Sequence, residues 1–179
     1  MTLVIQEHPS NKYAPRTYAN AKVADLTVAF AVNFNTAGEK CTHKAAGDRY
    51  LAINLNILSP IGAARVLYKH CKHWEVQTLN IAGNSIQTLL ANDMSQKDIN
   101  QYVYDILFLV TEYLPIFKIV SGGQTGVDVA GLVAAYKLGI PCVGTLPKGF
   151  MQRDCFGRDR LYPKEQIVND IIGFSKVLR

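Results

Sequence analysis

No run of uncharged apolar residues approaches the roughly 18 to 20 needed to cross a bilayer. The nearest candidate, Leu107 to Val120, is broken by Glu112, Pro115 and Lys118. The opening residues, Met1-Thr2-Leu3-Val4-Ile5-Gln6-Glu7, have neither the basic start nor the long apolar centre of a secretory signal. Cysteine is sparse: Cys41, Cys71, Cys142 and Cys155 stand far apart without a C-x-x-C pair, which argues against a zinc module and a disulfide-stapled secreted scaffold. The cytoplasm is therefore the expected compartment, and no protein-bound metal site is expected. The 19 basic and 14 acidic residues are dispersed, so the net charge of +5 suits an anionic ligand but forms no stripe for nucleic acid. Neither nucleic acid nor a membrane is an expected partner.

Of the 179 residues, 49% are hydrophobic and 18% charged, enough to bury an ordinary core and too apolar for disorder. The length predicts one domain spanning residues 1–179. Apolar runs of strand length recur at 26–32, 50–55, 76–82, 116–120 and 141–146, several continuous enough to be buried on both faces. Helical patterns fall between them. Ser59-Pro60 reads as an N-cap with proline at the first helical position, continued from Ala63 to Cys71. Ser95 and Asp98 form a capping box ahead of Ile99, Tyr102, Val103, Ile106, Leu107, Val110, Tyr113 and Leu114. A third helix is predicted from Val127 to Leu138, closed by Gly139 with Pro141 beyond. Strands alternating with helices imply a three-layer α/β domain built on a parallel sheet.

In such sheets ligands bind beyond the carboxyl ends of the strands. The strand at 116–120 runs into Ser121-Gly122-Gly123-Gln124-Thr125-Gly126-Val127-Asp128. Its glycines permit a tight turn and close backbone approach, and the helix that follows offers free N–H groups to an anion. The spacing fits neither GxGxxG nor a P-loop. Gln124 and Thr125 add neutral hydrogen-bonding groups, while Asp128 either satisfies the helix dipole or meets a ligand hydroxyl or amine. After the next strand, Pro147-Lys148-Gly149 places Lys148 where it reaches a phosphate. Arg153, Asp154, Arg158, Asp159 and Arg160 around Gly157 read as a solvated polar loop.

The segment from Ser121 to Asp128, its alanine-rich helix, Gly139-Ile140-Pro141 and Pro147-Lys148-Gly149 together resemble the molybdenum-cofactor carrier proteins. These belong to the SLOG superfamily of Rossmann-like nucleotide-ligand binders. In that family the segment lies near the N-terminus; here it comes late. Earlier residues are similar to the family's second half: Pro9-Ser10, Tyr13, Arg16-Thr17-Tyr18-Ala19-Asn20 ahead of a strand, Thr36-Ala37-Gly38 at a turn into a helix, and Leu79-Asn80-Ile81-Ala82-Gly83-Asn84. Thr36-Ala37-Gly38 lacks the family's double glycine, and Asn84 stands where proline is frequent. The exchanged order implies a circular permutation, with the helix from Ser95 to Leu114 joining the usual end to the usual beginning.

The resemblance implies a SLOG-type Rossmann-like fold in which Arg16, Thr17, Asn20, Thr36, Gly38, Gly83 and Asn84 converge with Gly122, Gly123, Gln124, Thr125, Gly126 and Asp128 on one rim, with Lys148 nearby. The expected function is binding of a phosphorylated nucleotide-like or pterin-like small molecule, as a carrier or a sequestering protein, in a homo-oligomer. Two alternatives follow from relatives: a phage-type sponge for an NAD-derived signalling nucleotide, and a nucleotide N-glycosidase related to the LOG phosphoribohydrolases. For the latter only Glu39 and Asp128 are plausible carboxylates, and no catalytic residue is assigned. His70-Cys71-Lys72-His73 reads as a solvated helix end, and Cys41 with His43 is not assigned as a dyad.

Overall fold

A strand covered on both faces has to be apolar or small along its whole length, and Leu26–Ala31 is buried at every position. It is one of six strands in a parallel sheet: β1 (Leu3–Glu7), β2 (Leu26–Ala31), β3 (Tyr50–Asn54), β4 (Thr78–Gly83), β5 (Lys118–Ser121) and β6 (Cys142–Leu146). The computed structural model describes residues 2–179 and orders the strands β1-β6-β5-β4-β2-β3. Registers such as Leu26↔Leu79, Leu79↔Ile119 and Ile119↔Cys142 line up the aliphatic residues of neighbouring strands. The strand predicted at 116–120 is thus central and parallel to both neighbours, as the sequence implied. It starts later, with pairing beginning at Lys118 opposite Thr78, while Ile116 is buried in the core ahead of it.

Among the described residues six helices lie between the strands, α1 (Tyr13–Val23), α2 (Ala37–Ala46), α3 (Pro60–His73), α4 (Ile86–Leu90), α5 (Gln96–Thr111) and α6 (Val127–Lys137), and α7 (Lys164–Lys176) follows the last strand. Helix α3 begins at Pro60 with the Ser59 hydroxyl accepting from Gly62 N, and α5 has the full capping box between Ser95 and Asp98. Helix α6 is buried almost all round, wedged between the sheet and helices α5 and α7. Gly131 lets it sit directly on Ile81 of β4. The alternate residues of β4, Asn80 and Ala82, face the other way, toward α1 and α2. Helices therefore cover both faces, giving the expected three-layer Rossmann-like arrangement.

Strand β1, helices α1, α4 and α7, and a hairpin near the end went unread in the sequence. Strand β1 has one buried side chain, Ile5, so no apolar pattern marks it; edge pairing with β6 makes it a strand. Helix α7 packs against α6 and β1, so the last helix lies on the first strand. The polar loop expected around Gly157 is instead an antiparallel hairpin, β7 (Met151–Arg153) and β8 (Asp159–Leu161). Its charges pair with one another, Arg153 with Asp159 at 2.8 Å, Arg160 with Asp154 at 2.9 Å and Arg158 with Asp154 at 3.4 Å.

Candidate functional site

Helix α1 carries the chain from one edge strand, β1, across to β2, and passes over β6 and β4 on the way. Together with α2 it roofs a cavity of about 420 Å³ beside the carboxyl ends of β4 and β5. Ten residues expected at the rim line it: Arg16, Thr17 and Asn20 from α1, Thr36 and Gly38 at the start of α2, Gly83 and Asn84 after β4, and Gly122, Gln124 and Asp128 from the glycine loop and α6. Arg16 and Asn20 lie four residues apart and so share the inward face of α1. A Cβ added at Gly38 would meet nothing within 4 Å, so the absence of a side chain leaves open space in the lining.

Four expected residues lie elsewhere. Lys148 is exposed and is not part of the lining; its backbone N–H donates to Ser10 O at 2.9 Å. Gly123, at φ +71°, turns its missing side chain toward Leu146, whose Cδ1 would lie 2.6 Å from an added Cβ. Gly126 sits against the turn after β4, where a Cβ would come within 2.7 Å of Ile86 N. The Thr125 hydroxyl donates to the carbonyl of Arg153. The loop is turned outward at these points because the β7–β8 hairpin occupies its polar groups. Gln124 Nε2 donates to Met151 O at 2.8 Å, Arg153 N donates to Gln124 Oε1 at 2.9 Å, and Gln152 Nε2 donates to Gly123 O at 2.7 Å.

The charged centre of the cavity is an ion pair between Arg16 Nη1 and Asp128 Oδ2 at 3.3 Å, both side chains at least nine-tenths buried. Gln124 N also donates to Asp128 Oδ2 at 3.3 Å. Any Cβ on Gly122 would collide with the Arg16 guanidinium and the Asp128 carboxylate, so this glycine gives the pair its clearance. Burial raises the Asp128 pKa above the ordinary aspartate range, opposed by Arg16 and the Gln124 amide. Both readings offered for Asp128 concern its own helix or a ligand; in the structure it is engaged first by Arg16.

Several lining residues were not in the expected set. Glu39, considered only for hydrolysis, is 2% exposed, and burial lifts its pKa from 4.5 to about 7. The charge of Asp128 adds to that rise and the Tyr50 hydroxyl opposes it. The Thr36 hydroxyl accepts from Glu39 N at 3.2 Å, capping α2 and fixing the first turn that carries both. Asn80 lies in the middle of β4, its Nδ2 donating to Thr27 Oγ1 at 3.1 Å. Asn84 is held by the turn after β2: its Oδ1 accepts from Val32 N and Asn33 N, and its Nδ2 donates to Asn33 O. Arg153 is the cation at the mouth, above the Tyr13 ring. The signal that could have found Asn80 is polarity out of place, an asparagine amid Leu79, Ile81 and Ala82, whereas Glu39, in the first turn of α2 three residues after Thr36, reads as an ordinary capping residue.

Residues 119–169, from β5 into α7, match the family model for circularly permutated YpsA, a SLOG family. No curated protein matches the sequence. No helix among the described residues is long and apolar enough to cross a membrane.

Proposed function

From a circularly permuted SLOG domain as the starting point, we propose that the cavity under α1 and α2 binds a phosphorylated nucleotide-like or pterin-like small molecule. The protein acts as a cytoplasmic carrier or sequestering protein, in a homo-oligomer of single-domain chains. The observation that carries this reading is a concave polar pocket at the carboxyl edge of a parallel sheet, where this architecture places its ligands. Its inner wall is polar where a packed α/β layer would be aliphatic: Asn20, Glu39, Thr42, Asn80 and Asn84 are all buried.

The two ends of the pocket differ in chemistry. At the mouth, the start of α2 supplies backbone N–H groups at Ala37 and Gly38, which suit a phosphate, and Arg153, whose Nε and Nη2 are held by Asp159, adds the remaining N–H groups of its guanidinium. The interior supplies amide and carboxylate groups, which suit a heterocycle. Lining cations and anions balance, with Arg16 and Arg153 against Glu39 and Asp128, so affinity for an anion comes from geometry and not from net charge. The test is mass spectrometry of whatever small molecule is released when the purified protein is denatured. A phosphorylated heterocycle is the expected finding, and recovery of an apolar molecule or a peptide in stoichiometric amount would refute the reading.

One observation favours an enzymatic reading as second choice. The Glu39 pKa of about 7 suits a general acid near neutral pH. Incubating nucleoside monophosphates with the protein separates the two: a binder returns them intact, whereas an N-glycosidase releases free base.

A further inference from the structure

Three buried polar atoms have no hydrogen-bond partner among the described residues: Arg16 Nε, Glu39 Oε2 and Asn80 Oδ1. Their residues are 8%, 2% and 2% exposed, respectively. They come from α1, α2 and β4, yet all three residues line the one cavity. Buried polar groups in folded proteins are paired almost without exception. The three come from separate elements and meet in a cavity of about 420 Å³, where water or a ligand with complementary groups completes them, and a ligand that matches all three displaces that water without loss of hydrogen bonds.

The atoms specify that complement. Arg16 Nε can only donate. Asn80 commits its amide nitrogen to Thr27, which leaves the oxygen as the free atom, an acceptor. Glu39 Oε1 faces Asn84 Nδ2 at 3.5 Å; the Tyr50 hydroxyl lies near the carboxyl group, but no hydrogen bond of ordinary geometry reaches the second oxygen. The ligand therefore presents an acceptor to Arg16 and N–H donors to Glu39 and Asn80. Phosphate oxygens only accept, and a carboxylate repels them. An adenine edge sets a bare ring nitrogen beside its amine and would aim a lone pair at Glu39. A 2-amino-4-oxopyrimidine edge places a ring N–H and an exocyclic amine side by side, with a carbonyl next to them. One of the two N–H groups serves the open oxygen of Glu39 and the other that of Asn80.

We infer that Glu39, Asn80 and Arg16 form a head-group subsite for the 2-amino-4-oxopyrimidine edge shared by guanine nucleotides and pterins, with Glu39 as the specificity-determining residue. The inference rests on the proposed small-molecule binding and narrows it. Phosphate lies toward Arg153 and the start of α2, and the heterocycle points inward between α1, α2 and β4.

Titration calorimetry with GMP, IMP, AMP and neopterin tests this on wild type and on Glu39→Gln, with the fold of the variant checked by its melting curve. IMP differs from GMP only by the missing amine. GMP or neopterin is expected to bind wild type at least about tenfold tighter than IMP or AMP, because a site built to hydrogen-bond a group rejects the analogue without it. In Glu39→Gln the GMP/IMP preference is expected to fall to about twofold or less. The tighter of GMP and neopterin identifies the source of the edge. Equal binding of GMP and IMP by wild type overturns the subsite and leaves small-molecule binding standing, as does an undiminished preference in Glu39→Gln. Failure of all four compounds to bind overturns the subsite. If denaturing the purified protein also releases no small molecule, the proposed function falls with it.

Discussion

Replacing Glu39 with glutamine keeps the shape of the side chain and removes its proton equilibrium, and the structure fixes what that does to stability. In the unfolded chain the carboxyl titrates near 4.5; in the cavity it titrates at about 7. Between those values the folded protein holds more protons than the unfolded one, so the contribution of this group is fully present below 4.5 and is lost as pH rises through about 7. At about 1.4 kcal/mol per pH unit, the ionised form carries a penalty of about 3 kcal/mol. Glutamine never ionises and escapes it. For a chain of this size, where each kcal/mol shifts the midpoint by about 2–4 °C, Glu39→Gln should melt about 6–12 °C above wild type near pH 8. The two should nearly coincide near pH 4. Thermal melts across that range decide the matter. A difference independent of pH, or a wild type more stable than the variant at the alkaline end, would refute the burial argument. A variant that is stabilised yet loses its discrimination between GMP and IMP is the expected signature of a residue retained for binding at a cost in stability.

Asp128→Asn leaves Arg16 buried without its partner and should lower unfolding free energy by about 3 kcal/mol or more, whereas Arg16→Met combined with Asp128→Leu should recover most of that loss in urea titrations. Gly123→Ala forces a side chain into left-handed backbone against Leu146 and should cost about 1–3 kcal/mol of stability; calorimetry on the folded protein should show GMP affinity unchanged. Arg153→Ala should weaken GMP by about tenfold through loss of a charge-assisted contact. Lys148→Ala, at an exposed position outside the lining, should leave the same dissociation constant unaltered.

The sheet was legible because burial writes itself into β2, β4 and β6 as strand-length runs of mostly apolar or small residues, and the capping residues Ser59, Ser95 and Gly139 mark helix ends directly. Strand β1 was illegible for the same reason inverted: an edge strand with only Ile5 buried needs its partner β6 to be a strand at all. The hairpin was hidden because β7 is held by hydrogen bonds to Gly123, Gln124 and Thr125, contacts distant in sequence, while a run of alternating charges looks the same when solvated. At the site, Arg16, Asn20 and Asn84 were placed by resemblance, and the structure brings them to one cavity with Gly122 and Asp128. Asn80 was quoted with its strand but not singled out, since which face of β4 it occupies depends on where α1 crosses, a long-range feature with no local mark.

The glycine-rich signature can then be given a physical job at each position. A loop of this kind invites the reading that its backbone cradles a phosphate, but here the outward groups of Gly123, Gln124 and Thr125 are bonded to the β7–β8 hairpin. What faces the cavity is Gly122, whose missing Cβ admits the contact between Arg16 and Asp128. Asp128 holds the guanidinium through Nη1, and this leaves Nε as the unpaired donor. The signature therefore acts one step removed from the ligand: it anchors the hairpin that carries Arg153 to the rim and aligns the arginine that lines the interior. A change at Gly122 should accordingly disturb Arg16 before it disturbs the loop. Gly122→Ala is expected to lower GMP affinity and stability together, in contrast to Gly123→Ala, which lowers stability alone. Matched melting and calorimetric measurements on the two neighbours separate alignment of the arginine from simple turn formation. Identical behaviour of the two variants would show that the loop acts as one rigid turn with no separate role for Gly122.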